Sequence, residues 1–458
     1  MTGRHRGAAS GPGRLVLAVA TALLVLAACT PGGKAKDETS NPPASGVETG
    51  VPAQGNFTLV VWDQEVRGGQ DEEITQLNDE FMAKYPNVKI KRVSKSFTDL
   101  LNTVKLAVSG PNPPDVVEAN QGWGVMGAMV KAGLLRPLDD YAKAYGWDQR
   151  FARPLLDLNS FTSDGTKFGT GSLYGLSQTG EYVGVYYNKD KLDALGVGVP
   201  TTFDEFQADL QKAKDAGQTP IQFGNLDKWP GIHEFGAVEN QVVSKDQIRD
   251  FVFGRSGSSF TTSDNEGAAS MLSEWADGGF FTDGFNGLSY DDSWAKFGEG
   301  EGVFLISGTW LAPDLEKAMG DNVGMFPIPP ADPAAGPVAT GGEGLPLAVT
   351  AKSKNAQVAA AYIDFLTSDH AMDVITQNNL LPAVPPANPP TTGILGDVFD
   401  GWDALNAADG LVPYLDYATP TFYDTITADV QELMGGKVDA KGFVDRAQQD
   451  YDTFYAGA

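Results

Sequence analysis

The chain has 458 residues, 33 of them basic and 59 acidic, for a formal net charge of −26 at neutral pH. That acidic excess argues against nucleic acid, whose phosphates are met with lysine and arginine, and against anionic lipid head groups. One cysteine and three histidines leave no internal disulfide, nearly exclude a histidine-rich zinc site and leave few partners for a Ser-His-Asp triad.

Arg4, Arg6 and Arg14 form a basic patch ahead of an apolar run from Leu15 to Ala28. The run is shorter than the ~20 residues a spanning helix needs, so residues 1–28 read as a secretory signal. It closes on Leu26-Ala27-Ala28-Cys29, which resembles a bacterial lipobox. That resemblance implies a lipid on Cys29, which becomes the mature N-terminus of an exported protein anchored to the outer face of the cell membrane. The alternative is an ordinary signal peptide that happens to contain a cysteine. Loss of residues 1–28 takes away three arginines and no acid, leaving 30 basic against 59 acidic side chains. Residues 29–55, rich in Gly, Pro, Ser and Thr after the cysteine, read as a flexible tether with a reach of roughly 25–30 Å.

Phe57 to Trp62 is apolar and β-prone and reads as the first strand. Ile74, Leu77, Phe81 and Tyr85 recur at helical spacing until Pro86 stops the helix. A strand over Val88–Val93, a helix over Leu100–Val108 and a short strand over Asp115–Val117 follow, then an apolar helix from Trp123 to Ala132. Such alternation indicates parallel β/α construction. Tyr182–Tyr187 reads as a strand, and Thr202 with Glu205 forms a capping box for a helix carrying Phe203, Phe206 and Leu210. Further strands are expected over Pro220–Phe223, Gly302–Ile306 and Leu345–Val349, and helices around Trp275, Trp294, Val358–Phe365, Ile426–Leu433 and Phe443–Phe454. Pro- and Gly-rich stretches over 326–342 and 382–393 read as connectors.

Trp62, Trp123, Trp229, Trp294, Trp310, Tyr182 and Tyr423 fall at expected strand ends, loops or helix starts, several beside amides and carboxylates. A sugar ring has an apolar face and a polar edge, so flat aromatics next to such groups suit it. Each of these rings can equally be packing. Glu118-Ala119-Asn120-Gln121-Gly122 offers donors and acceptors directly after a short strand, or is a polar turn. Gly341-Gly342-Glu343 would let backbone approach a ligand, or is a loop. The acidic, glycine-rich Gly298–Gly302 would repel phosphate, Asp264–Glu266 lacks EF-hand spacing, and Asp139-Asp140 and Asp291-Asp292 suit helix starts better than catalysis.

Four segments, in this order and spacing, resemble the maltose-binding-protein-like carbohydrate-binding lipoproteins of ABC importers. They are Leu59-Val60-Val61-Trp62 with the helix closing at Lys84-Tyr85-Pro86; Gly110–Val117 followed by Gly133–Leu138; Val185–Asp190 followed by Val199–Phe206; and Ser307-Gly308-Thr309-Trp310. They track most of residues 57–455. The resemblance implies an α/β, two-lobed, periplasmic-binding-protein-like fold of class II. Each lobe would be a sheet flanked by helices, with the ligand cleft between lobes. Its N-terminal lobe would comprise residues 56–178 and 337–381, and its C-terminal lobe residues 179–336 and 382–458. Hinge crossings would lie near Ser177–Glu181, at 327–338 and near 382. Carried onto this chain, the ligand residues would be Asp63, Gln64, Glu65, Asn120, Gln121, Tyr182, Trp229, Trp310, Gly342, Glu343 and Tyr423.

The function so implied is capture of a sugar, an oligosaccharide in particular, and its delivery to an ABC transporter permease by a monomer. It needs no catalysis, metal or cofactor. Two alternatives stay open: the same fold binding a polyamine through carboxylates and cation–π contacts, and a lipid-anchored glycoside hydrolase with two carboxyl groups across a cleft.

Overall fold

A computed structural model describes residues 47–456. The signal segment, Cys29 and the tether up to residue 46 lie outside them. The strands in chain order are β1 (Phe57–Asp63), β2 (Val88–Ser94), β3 (Val116–Glu118), β4 (Ser160–Phe161), β5 (Ser172–Leu173), β6 (Gly180–Asn188), β7 (Phe304–Gly308), β8 (Val323–Phe326), β9 (Ala339–Glu343), β10 (Leu347–Val349) and β11 (Leu411–Val412).

Leu59, Val61 and Asp63 share one face of β1 and are buried, as the two-residue period of a strand requires. β1 pairs in parallel with β2 and β3, and β10 closes the other side of β3 antiparallel, giving the order β10-β3-β1-β2. The crossover helix Gly68–Lys84 buries Ile74, Leu77 and Phe81 in the core that holds Leu59 and Val61. Phe81 meets Tyr362 edge-on at 5.3 Å between ring centres.

The second sheet is built on β6, in the order β11-β9-β6-β7, with β8 also paired to β6. The Thr202–Glu205 capping box forms as expected, each residue bonding the other's backbone N–H at 3.2 Å, and starts the helix Phe203–Asp215. That helix carries Phe206 onto Phe304 of β7 at 5.2 Å and onto Trp275 at 6.0 Å.

Several elements differ from expectation. Pro220–Phe223 is not a ladder strand: only Ile221 makes bridges, to Phe281 and Phe304. The helix expected from Trp123 begins as a π-helical turn over Trp123–Gly127 and continues as Ala128–Lys131. The expected connector over 326–342 is shorter, because Ala339–Glu343 forms β9 and pairs with β6 and β11. The chain therefore passes from the second sheet back to the first between Glu343 and Leu347, not at 327–338.

Three crossings between the sheets run side by side. Gly180 N–H donates to the Leu381 carbonyl at 2.9 Å, Ala383 N–H to Gln178 at 2.9 Å, and Gly344 N–H to Thr179 at 3.0 Å. They bring the C-terminal end of β1 and the N-terminal end of β6 to one place.

Candidate functional site

At that place lies a cleft with about 900 Å³ of free space, part of it open to solvent, lined from both halves of the molecule. Ligands favour the carboxyl ends of parallel strands, and Gln64, Glu65 and Asn120 follow the ends of β1 and β3. The Gln64 N–H donates to Glu118 Oε2 at 2.7 Å, and the Gln64 amide donates to Glu65 Oε1 at 3.2 Å, which fixes the loop. Burial pushes the Glu65 carboxyl up to about 6 and Glu118 well above the usual range, with the charge of Asp63 adding to both.

Opposite stand aromatic walls. Phe97, Trp229, Trp310 and Tyr423 are half-buried and line the cleft, above a buried floor of His233, Tyr414 and Tyr417. Trp229 lies 5.7 Å from Phe97 and 5.4 Å from His233, and His233 lies 5.5 Å from Trp310 and 5.9 Å from Tyr414. The indole N–H of Trp310 donates to the Tyr290 hydroxyl at 2.7 Å, which is also 2.8 Å from Ser307 Oγ. Trp310 folds back over Gly308, where an added Cβ would sit 1.9 Å from the ring. Burial lowers His233 to about 3, so its ring is neutral.

Two more carboxyl groups reach the floor. Glu181, at the start of β6, accepts from the Tyr414 hydroxyl at 2.9 Å, and Asp416 accepts from Asn120 Nδ2 at 3.4 Å. Burial pushes Glu181 up to about 8, with the charges of Glu65 and Asp416 adding to it, and pushes Asp416 up to about 7. Among the described residues, Arg67 is the one lysine or arginine on the lining; it pairs with Asp291 at 3.1 Å and lies 5.1 Å over the Tyr290 ring. The arrangement can stack flat apolar faces and accept several hydrogen bonds at their edges.

A family model for the bacterial extracellular solute-binding proteins matches residues 68–373. The chain belongs to that family. As a solute-binding protein of an extracellular family it is exported. It is 24% identical over 317 residues to the multiple sugar-binding protein of Streptococcus mutans, covering 66% of this chain and 69% of that one. A solved chitin oligosaccharide binding protein superposes with a TM-score of 0.76 at 23% identity, over 88% of this chain and all of its own. RafE in complex with raffinose superposes at 0.69 and 19% identity, over 86% and 99%. These likenesses establish the two-lobed α/β fold of this solute-binding protein.

Of the residues carried over by resemblance, Gln64, Glu65, Asn120, Trp229, Trp310 and Tyr423 line the cleft. The others do not. The Asp63 carboxylate points back along the sheet to Arg92, which donates to it at 2.8 and 3.1 Å. Gln121 bonds the Gly344 carbonyl at 3.0 Å and accepts from Tyr417 at 3.1 Å, so it braces a crossing. Tyr182 is fully buried and donates to the Val398 carbonyl at 3.2 Å; strand alternation turns its neighbour Glu181 to the cleft instead. Gly342 and Glu343 sit within β9, where Glu343 accepts from Asn159, and the lining falls to Gly344 and Leu345. Among the tryptophans weighed by sequence, Trp123 is core, and Trp62 lies under Lys95 at 4.9 Å.

Sequence reading missed Arg67, Phe97, Glu181, His233, Tyr414, Asp416 and Tyr417. A usable signal existed at Tyr414-Leu415-Asp416-Tyr417, two aromatics around an acid. His233 rides on the helix Pro230–Val242, which is buried on nearly every side and so shows no polar face to reveal it.

Proposed function

We propose that this solute-binding protein captures a saccharide, in particular an oligosaccharide, and presents it to the permease of an ABC importer. The observation that carries this is the single cleft in which Phe97, Trp229, Trp310 and Tyr423 stand beside Gln64, Asn120, Glu65, Glu181 and Asp416. Ring stacking and edge hydrogen bonds are both available there. The sugar-binding relative and the two saccharide-binding structures support the same class of ligand, and favour neither a polyamine nor a hydrolase. The protein acts by binding, without turnover; sustained release of product from aryl-glycosides would refute that.

The lobes that close on the ligand are residues 56–178 with 347–381, and 179–343 with 382–458, hinged at the three hydrogen-bonded crossings. Ligand touching both lobes favours the closed state because the open state lacks half the contacts. The protein works as a monomer, held at the outer membrane face by a lipid on Cys29, with the tether giving the lobes reach toward the permease.

A thermal-shift panel of mono- and oligosaccharides with spermidine tests the ligand class. A sugar at ~100 Kd stabilises by ~2.7 kcal/mol, a clear shift. No response to any sugar, with a response to spermidine, overturns the reading.

A further inference from the structure

The carboxyl groups of the cleft form no ion pair among the described residues. Glu65 comes from the loop after β1, Glu181 from the start of β6, and Asp416 from the turn Leu415–Tyr417, and all three face one cavity. Among the described residues, no lysine, arginine or histidine forms an ion pair with any of them. Of the cations nearby, Arg67 pairs with Asp291 while its charge also reaches Glu65, and Arg92 holds Asp63 and Asp71, so Glu181 and Asp416 have none. His233 is neutral through burial. Glu65 is only 6% exposed and lines the cavity; its Oε1 accepts from the Gln64 amide at 3.2 Å, and its only other side-chain partner among the described residues is the neighbouring Glu118 carboxyl, itself an acid. Glu181 holds only the Tyr414 hydroxyl, on an aromatic corner where Tyr414 and Tyr417 lie 5.6 Å apart.

Buried carboxyl groups are stable when paired, hydrogen-bonded or neutral. In the empty cleft burial keeps Glu181 protonated and therefore neutral, and a ligand made only of hydroxyls leaves it so. An ammonium group would send that proton to solvent: it offers three donors to the resulting carboxylate and a cation to the tyrosine faces beside it. We propose that the saccharide held in this cleft carries a protonated amine, bound at Glu181 with Glu65 and Asp416 around it. This rests on the saccharide reading above and narrows it to amino sugars with a free amine.

Three trisaccharides with one β-1,4-linked glucan backbone test it, differing only at carbon 2: cellotriose with hydroxyls, tri-N-acetylchitotriose with acetamides, and chitotriose with free amines. Titration calorimetry on the whole mature chain near pH 7 is expected to give chitotriose a Kd about tenfold or more below that of either neutral trimer, the scale of a close charge pair. Glu181→Gln, whose amide oxygen can still accept from Tyr414, is expected to bring that ratio toward one. A neutral trimer that binds as tightly as chitotriose overturns the amine and leaves the saccharide reading standing. No binding by chitotriose overturns the amine, and the saccharide panel then decides the saccharide reading on its own. A preference that survives Glu181→Gln overturns the assignment to this carboxyl group.

Discussion

Trp310→Ala is the substitution that most directly weighs the aromatic wall. The indole is half-buried on the cleft, 5.5 Å from His233, with its N–H on the Tyr290 hydroxyl. An indole can bury ~200 Å², and half of that, facing a sugar ring at ~25 cal/mol per Å², gives ~2.5 kcal/mol, or roughly 60-fold in Kd. Loss of the N–H does not orphan Tyr290, because its hydroxyl keeps Ser307 Oγ at 2.8 Å. The damage therefore falls on binding more than on folding. Trp310→Phe keeps a flat face without the donor and is expected to stay within about fivefold, on the scale of one neutral hydrogen bond. Calorimetry with the strongest binder of the saccharide panel measures both variants. Unchanged affinity in Trp310→Ala would refute the stacking role, and an equal loss in both variants would move the effect from the ring to its N–H.

Gly308→Ala makes a second probe of the same wall: φ is −84°, so alanine is not strained, yet its Cβ must displace the Trp310 ring; affinity is expected to fall, and binding at wild-type strength would show that the indole does not need its place over Gly308. Asp63→Ala breaks a buried pair with Arg92 and is expected to destabilise by roughly 3 kcal/mol in urea unfolding, a buried-pair magnitude; a loss of affinity without loss of stability would return Asp63 to the ligand. Stability of the empty protein should rise as pH falls from 8 to 6.5. Glu181, Glu239 and Asp416, raised by burial to about 8, 8 and 7, hold protons in the folded state that the unfolded chain has released, each worth ~1.4 kcal/mol per pH unit. Below 6.5 the lowered His233 opposes this trend, since the unfolded chain takes up a proton there that the folded ring refuses. A melting temperature that climbs from pH 6.5 to 8 would contradict the buried-acid account. Cys29→Ser is expected to release the protein from membranes into the medium, and full membrane retention would rule out the lipid anchor.

The fold was legible wherever a local rule was strong. The capping box at Thr202 and Glu205 and the spacing of Ile74, Leu77 and Phe81 needed no knowledge of distant chain. The helix Pro230–Val242 was not legible for the opposite reason: with His233, Glu234, Glu239 and Asn240 buried alongside Phe235 and Val238, burial and polarity do not alternate. Gly341 and Gly342 read as a loop because glycine usually weakens strands. Here they permit one. An added Cβ at Gly341 would come 2.4 Å from the Glu181 carbonyl, so the close pairing of β9 on β6 depends on its absence.

The site divides along the same line. Trp229 carries its polar neighbours in the adjacent sequence, and Trp310 stands in the Ser307-Gly308-Thr309-Trp310 segment of the family resemblance, so both were expected in the cleft. The floor has no such local mark. Asp63 was expected in the cleft as one of three polar residues after β1. It is withdrawn by Arg92, 29 residues later, only because the parallel register sets Val61 against Arg92. Tyr182 and Glu181 exchange roles through a single step of strand parity, which residue type alone cannot settle. The acids Glu65, Glu181 and Asp416 meet only once the crossings have brought the ends of β1 and β6 together. The aromatic wall at Trp229 and Trp310, which favours ring faces in general, is therefore written locally, while Phe97 joins it only in the fold. The charge balance of the floor, which distinguishes one saccharide from another, arises from long-range pairing, and it is there that the amine test bears.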